Sequence, residues 1–157
     1  MEYIHRLRQK VGHEKVLIPA TALVILNPQD EVLLHLRNHE LAWGLPGGLM
    51  DLGETVSESV GREALEETGL KIRKPKVYGI FSGPTYEVQY PGGDQTSPVI
   101  IACYTNEYSG ELRPSTESPE LKFCALDQLP AKMNESHRRF IEAFREWRHG
   151  DLTVLLR

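Results

Sequence analysis

Gly48-Leu49-Met50-Asp51-Leu52-Gly53-Glu54-Thr55-Val56-Ser57-Glu58-Ser59-Val60-Gly61-Arg62-Glu63-Ala64-Leu65-Glu66-Glu67-Thr68-Gly69-Leu70 reads as a glycine-rich loop running into one helix. Thr55-Val56-Ser57-Glu58 marks the start, as a capping box in which hydroxyl and carboxylate each take a free backbone N–H. Gly69 marks the end, where the chain turns left-handed, with apolar Leu70 behind it. Inside this frame Glu63, Glu66 and Glu67 stand at i, i+3 and i+4. At about 100° per residue, Glu67 lies about 40° from Glu63 and Glu66 about 60° from it, so the three share a face. Like charges so placed repel by roughly a few tenths of a kcal/mol per pair. A chain that keeps them together has a cation to bind. Oxygen-only ligands suit a hard divalent ion, and Mg²⁺ habitually shares such carboxylates with a substrate's phosphates. Ser57, Gly61, Ala64, Leu65 and Thr68 occupy the opposite side, and being mostly small they are predicted to pack closely on a sheet.

The same residues carry a family pattern. Gly48, Glu54, Arg62, Glu63, Glu66, Glu67 and Gly69 have the spacing of the Nudix box, and the segment resembles that of the MutT-like pyrophosphatases. Ala64 stands where the pattern has an aliphatic residue. Seven fixed positions at average residue frequencies match by chance on the order of 10⁻⁸ per starting point, so coincidence is negligible. The resemblance implies an α/β/α sandwich with a mixed sheet between helices. It implies hydrolysis of the pyrophosphate bond in a nucleoside diphosphate linked to another moiety, by in-line attack of water. Glu63, Glu66 and Glu67 are then ligands of Mg²⁺ or Mn²⁺, with the Gly48 carbonyl as another and Glu54 joining directly or through water. Some members carry one more glutamate on a loop after the long central strand. Glu117 and Glu120 fall in that region, and Glu117 is preferred as general base or outer ligand because Glu120 begins a strand. Arg62 has Glu58 at i−4 and Glu66 at i+4, a pairing that pins the cluster. The candidate catalytic set is therefore Glu66, Glu63, Glu67, Arg62 and Glu117.

Outward from the box, the chain is ordinary. Its 157 residues suit one domain with a real core, and 40% hydrophobic with 25% charged residues is the balance of a soluble globular protein. Eighteen Lys and Arg against 22 Asp and Glu, a formal net charge of −4, offer no basic field for duplex nucleic acid. Met1 to Arg6 lacks an apolar signal core, and runs such as Ala22 to Leu26 are too short for a bilayer, so the cytoplasm is the expected compartment. Cys103 and Cys124 form neither a disulfide framework nor a zinc spacing and are expected as small buried hydrophobes. His35 and His39 suggest no zinc site. His5, His13, His137 and His149 are expected at the surface.

Tyr3 to Lys10 is predicted as an amphipathic helix or an edge strand. Strands are predicted over Ile18 to Leu26, Glu31 to Arg37, Trp43 to Leu45, Lys76 to Phe81, Tyr86 to Tyr90, Pro98 to Tyr108 and Leu121 to Ala125. A helical turn is expected over Leu126 to Pro130, and a helix capped by Asn134 through Arg148 with Phe140, Ile141, Phe144 and Trp147 as its apolar stripe. The tail Leu152 to Leu156 is expected to return as an edge strand or to join a homodimer, since many members of the family pair. For substrate, Arg37 is placed to clamp a phosphate or lie on the surface. Tyr86 and Tyr90, with Phe81, stack a base or pack between strands. Two further readings stand beside the hydrolase. One is a nucleotide-binding module without turnover, against which the intact acidic set argues. The other is hydrolysis of RNA 5′ ends, against which the weak basic character argues.

Overall fold

The computed structural model describes residues 2–38 and 40–157, so His39 lies outside the described residues. In chain order the elements are α1 (Glu2–Val11), β1 (Val16–Ile25), β2 (Glu31–Arg37), β3 (Ala42–Gly44), α2 (Val56–Thr68), β4 (Lys71–Arg73), β5 (Lys76–Phe81), β6 (Val88–Gln89), β7 (Gln95–Thr105), β8 (Glu107–Ser109), β9 (Leu121–Ala125), α3 (Glu135–His149) and β10 (Leu155–Leu156).

β1 is apolar on both faces because both are covered. Ala20, Ala22 and Val24 face Phe140, Ile141 and Phe144 of α3. Leu23 and Ile25 face Val60 and Ala64 of α2. The period-two alternation of one strand thus serves two cores, and the result is a mixed sheet between helices. β1 runs parallel to β7, from Val16 opposite Thr96 to Ile25 opposite Thr105. β7 pairs antiparallel with β5 and with β6, and β5 pairs parallel with β10. A second sheet orders β3, β2 and β9 antiparallel, and β4 pairs with β8. The first residues resolve as helix α1, not an edge strand.

The box helix has the expected ends. Thr55 accepts from the Glu58 N–H while the Glu58 carboxylate takes the Thr55 N–H. Gly69 adopts φ 78°, and a Cβ there would meet the Glu111 carbonyl at 2.8 Å. Its packing face differs from the expected one. Ser59, Val60, Glu63, Ala64, Glu67 and Thr68 are buried, whereas Ser57 is exposed and Leu65 is 47% exposed. Glu63 and Glu67 join the packing face because they lie against the loop that follows β3, whereas Glu66 stays exposed.

Four other expectations are corrected. Tyr86 belongs to a 3₁₀ turn over Pro84–Tyr86, since Pro84 fixes the first turn position after Gly83 at φ 92°; only Val88–Gln89 is strand. The long strand expected to Tyr108 begins earlier and stops at Thr105, where the Thr105 hydroxyl binds the Arg73 carbonyl at 2.6 Å and turns the chain into β8. The strand expected to reach Leu45 stops at Gly44. Leu126 to Pro130 is a turn closed by Gln128 N–H on Ala125 O at 3.0 Å, and not a helical one. The tail takes the edge-strand option, its register extended by the Arg157 N–H on Ile80 O at 2.9 Å. Both cysteines are free, and burial pushes the Cys103 thiol up to about 12. Among the described residues no helix is long and apolar enough to cross a membrane.

Candidate active site

Arg62 is the knot of the acidic cluster. Its Nε and Nη2 donate to the two oxygens of Glu54 at 2.5 and 3.0 Å, a bidentate fork. Its Nη1 donates to Glu63 Oε1 at 2.6 Å and to Glu66 Oε2 at 3.3 Å, and Nη2 reaches the Leu49 carbonyl at 3.2 Å. Glu58 is not a partner, contrary to the i−4 expectation, because its carboxylate is spent on the helix cap. The guanidinium holds the Glu54 carboxyl below its usual range. At Glu63 burial is the larger effect and pushes the carboxyl up, against the pull of Arg62. Among the described residues, no three acidic, histidine or cysteine side chains converge as a metal-holding group. Glu54, Glu63 and Glu66 converge on Arg62.

The loop before the box sits against these acids. A Cβ at Gly48 would stand 2.6 Å from Glu63 Oε1, so a side chain there would displace that carboxylate. Gly48 O accepts from Thr21 N–H at 2.8 Å, and Gly47 N–H donates to Glu67 Oε2 at 2.9 Å. Glu67 is 8% exposed. Burial pushes its carboxyl up to about 8, while the Gly47 N–H and Arg37 pull it down and Glu63 and Glu117 push it further.

Two adjoining clefts open here. One of about 150 Å³ is lined by Glu63, Glu67, Glu117, Arg37 and Tyr90. The second, also about 150 Å³, is lined by Arg37, Tyr86, Tyr90, His137 and Phe140. Arg37 and Tyr90 are common to both. Arg37 Nε donates to Glu40 Oε1 at 3.1 Å, and its terminal nitrogens bond no described residue. Tyr86 is 9% exposed, stacked on Phe140 at 5.5 Å, and its hydroxyl likewise bonds no described residue. A larger hollow of about 580 Å³ beside Tyr104 and Trp147 holds none of the box acids.

Of the residues expected at the site, Glu54, Glu63 and Glu66 meet on Arg62, Gly48, Glu63, Glu67, Glu117, Arg37 and Tyr90 line the first cleft, Tyr86 lines the second, and Glu54, Arg62 and Glu66 line neither. Sequence reasoning overlooked more. It missed two histidines. His35 is 1% exposed, with Nδ1 2.6 Å from Ser118 Oγ and Nε2 3.1 Å from Leu45 O. His137, expected at the surface, packs its ring on Phe140 and accepts from Leu45 N–H at 2.8 Å. Burial, then Arg37 and His35, depress its pKa. Its spacing from Phe140, Ile141 and Phe144 was the available signal, since i+3, i+4 and i+7 put it on the buried stripe.

A sheet between helices, with a capped acidic helix behind a glycine turn, is the arrangement that the Nudix resemblance implies. The NUDIX domain profile matches residues 16–144, and the chain belongs to that family. It is 34% identical over 138 residues to an ADP-ribose pyrophosphatase of Methanocaldococcus jannaschii, covering 85% of this chain and 78% of the relative. It is 43% identical over 116 residues to the uncharacterized Nudix hydrolase YvcI of Bacillus subtilis, covering 72% of each. The crystal structure of a MutT NUDIX hydrolase from Burkholderia pseudomallei superposes with TM-score 0.69 at 26% identity, covering 82% of this chain and 98% of that one. The chain is an enzyme, a hydrolase acting on phosphoric anhydrides of nucleotides.

Proposed function

We propose that the chain hydrolyses the pyrophosphate bond of a nucleoside diphosphate linked to another group, with Mg²⁺ or Mn²⁺ as cofactor. The observation that carries this reading is the gathering of Glu54, Glu63 and Glu66 on one guanidinium, beside a cleft that Glu67, Glu117 and Arg37 line. The donor chemistry of these residues suits a divalent cation. Every candidate ligand is an oxygen, and a positive centre is already accommodated between Glu63 and Glu66 at 2.6 and 3.3 Å. A carboxyl as buried as Glu67 ionises readily only beside positive charge. We assign Glu63, Glu66 and Glu67, with Glu54 and the Gly48 carbonyl, to hold the ion. Once bound it supplies Lewis acidity, orientation of the phosphates and an acidified water.

The remaining roles belong to the chain itself. Arg62 fixes the directions of the Glu54 and Glu63 carboxylates. Glu117, on the rim of the same cleft, accepts the proton of the attacking water. Arg37 clamps a phosphate with its terminal nitrogens, and Tyr86 and Tyr90 hold the base or the linked group in the adjoining cleft. The same reading takes residues 1–157 as one domain, resident in the cytoplasm and pairing as a homodimer.

A panel of nucleotides with Mg²⁺, compared between wild type and Glu66→Gln, tests it. Several orders of magnitude should be lost in the variant, because removing a ligand charge removes the ion as well. Labelled water identifies the phosphorus attacked. Unchanged turnover by Glu66→Gln overturns the metal assignment. Tight nucleotide binding without product under any divalent ion favours a binding module instead.

A further inference from the structure

Leu45 is fully buried and follows the last residue of β3, so both polar groups of its backbone need partners inside the protein. Two imidazoles supply them. His35, from β2, places Nε2 at 3.1 Å from Leu45 O, and His137, from α3, takes the Leu45 N–H on Nδ1 at 2.8 Å. A carbonyl only accepts, so Nε2 of His35 carries a hydrogen; an amide only donates, so Nδ1 of His137 is bare. The next residues lead straight into the site. Pro46 O accepts from Leu23 N–H at 2.8 Å, and Gly47 N–H meets Glu67 at 2.9 Å. Gly48 stands against Glu63. His35 reaches two more parts of the site. Its Nδ1 meets the hydroxyl of Ser118, which is fully buried and follows Glu117, and its Nε2 lies 3.8 Å from Glu67 Oε2.

We propose that His35 and His137 are positioning residues for the reaction, clamping Leu45 from both sides and so fixing the Pro46–Gly48 turn against Glu63 and Glu67. The inference rests on the hydrolase reading of the site. Neither ring is assigned to the reacting atoms; each acts through Leu45. A displacement of about 1 Å at a reacting centre is enough to lower rate on the order of 100-fold.

Amide side chains of different reach provide the test. Asn carries its amide at the δ position, where His137 meets Leu45. Gln carries it at the ε position, where His35 meets Leu45. His137→Asn and His35→Gln therefore keep the contact, and His137→Gln and His35→Asn lose it. Filling space alone predicts Gln as the better substitute at both positions, since it is nearer to histidine in size. The two mismatched variants should lose roughly 10–100-fold in kcat with KM little changed, and the two matched ones should stay within roughly threefold of wild type. Gln outperforming Asn at position 137, or equal losses in all four, overturns the proposal. Amide exchange of the wild type is a second arm, independent of turnover and of whether any variant folds. Slow exchange of the Leu45 N–H with an unprotonated His137 Nδ1 in ¹⁵N spectra supports the clamp, and a fast-exchanging Leu45 N–H sinks it. Wild type inert on every nucleotide would fault the hydrolase reading, leaving the exchange arm to judge the clamp.

Discussion

Gly48 isolates a purely steric demand. Its backbone lies outside the left-handed region, so alanine is conformationally permitted there, and the nearest obstacle is the Glu63 carboxylate 2.6 Å from the added Cβ. That carboxylate cannot simply swing away, since Arg62 holds it and Glu63 is 7% exposed. Gly48→Ala should therefore fold with near-normal stability yet lose roughly 10–100-fold in kcat/KM, with weakened Mn²⁺ binding by calorimetry. Normal metal affinity in a folded Gly48→Ala protein would refute the steric account. At this scale the acids were legible because their spacing is helical and local. His35 was not, because it serves the Leu45 carbonyl on another element and no local pattern marks such a bond; for His137 the helical spacing showed a place on the buried stripe but not its Leu45 partner. The partners of Arg62 were half legible. Glu66 was found one turn away, whereas Glu54 approaches from across the loop.

Among the elements, those with strong punctuation were read correctly, as the Thr55 box and Gly69 show for α2. β4 was not read at all, and β8 was merged into the long strand before it. β4 and β8 are three residues each, and nothing in Lys71–Arg73 distinguishes it from a loop until Tyr108 lies opposite Ile72. β10 is shorter still, yet it covers the edge of β5, packs Leu155 on the α3 core and ends on a Ser82 N–H to Arg157 O bond of 2.7 Å. Deleting residues 152–157 should lower unfolding free energy by about 1–3 kcal/mol, through lost apolar burial and ladder bonds. Urea titration measures it, and an unchanged midpoint would contradict the pairing. Gel filtration of the same variant separates the roles of the tail. A dimer that survives the deletion places the interface elsewhere.

For the molecule as a whole, His137 makes stability depend on pH. Its folded pKa is depressed below 6.5. Below that value the unfolded chain takes up a proton that the folded chain refuses, so the group's contribution falls as pH falls. The slope from one such histidine approaches at most about 1.4 kcal/mol per pH unit. Glu67 has the opposite sign. Its carboxyl sits near 8 against an ordinary 4.5, so between those values the folded chain holds the extra proton and stability falls as pH rises. Comparing wild type with His137→Asn at pH 7.5, 6.5 and 5.5 cancels the Glu67 contribution. Wild type should lose ground to the variant only below about pH 6.5. A difference independent of pH would show that His137 is not held neutral.

The long parallel pairing of β1 with β7, from Val16 opposite Thr96 to Ile25 opposite Thr105, has a kinetic consequence. The central ladder cannot close until most of the chain between its partners has been gathered, and that loop entropy is lost before the contacts repay it. The hairpin of β6 and β7 can form early, while β1 must wait. Refolding from urea should run in the millisecond-to-second range, and substitutions along β1 should chiefly accelerate unfolding. Stopped-flow fluorescence of Trp43 and Trp147 follows it, and microsecond recovery would mean that β1 docks far sooner than this topology allows.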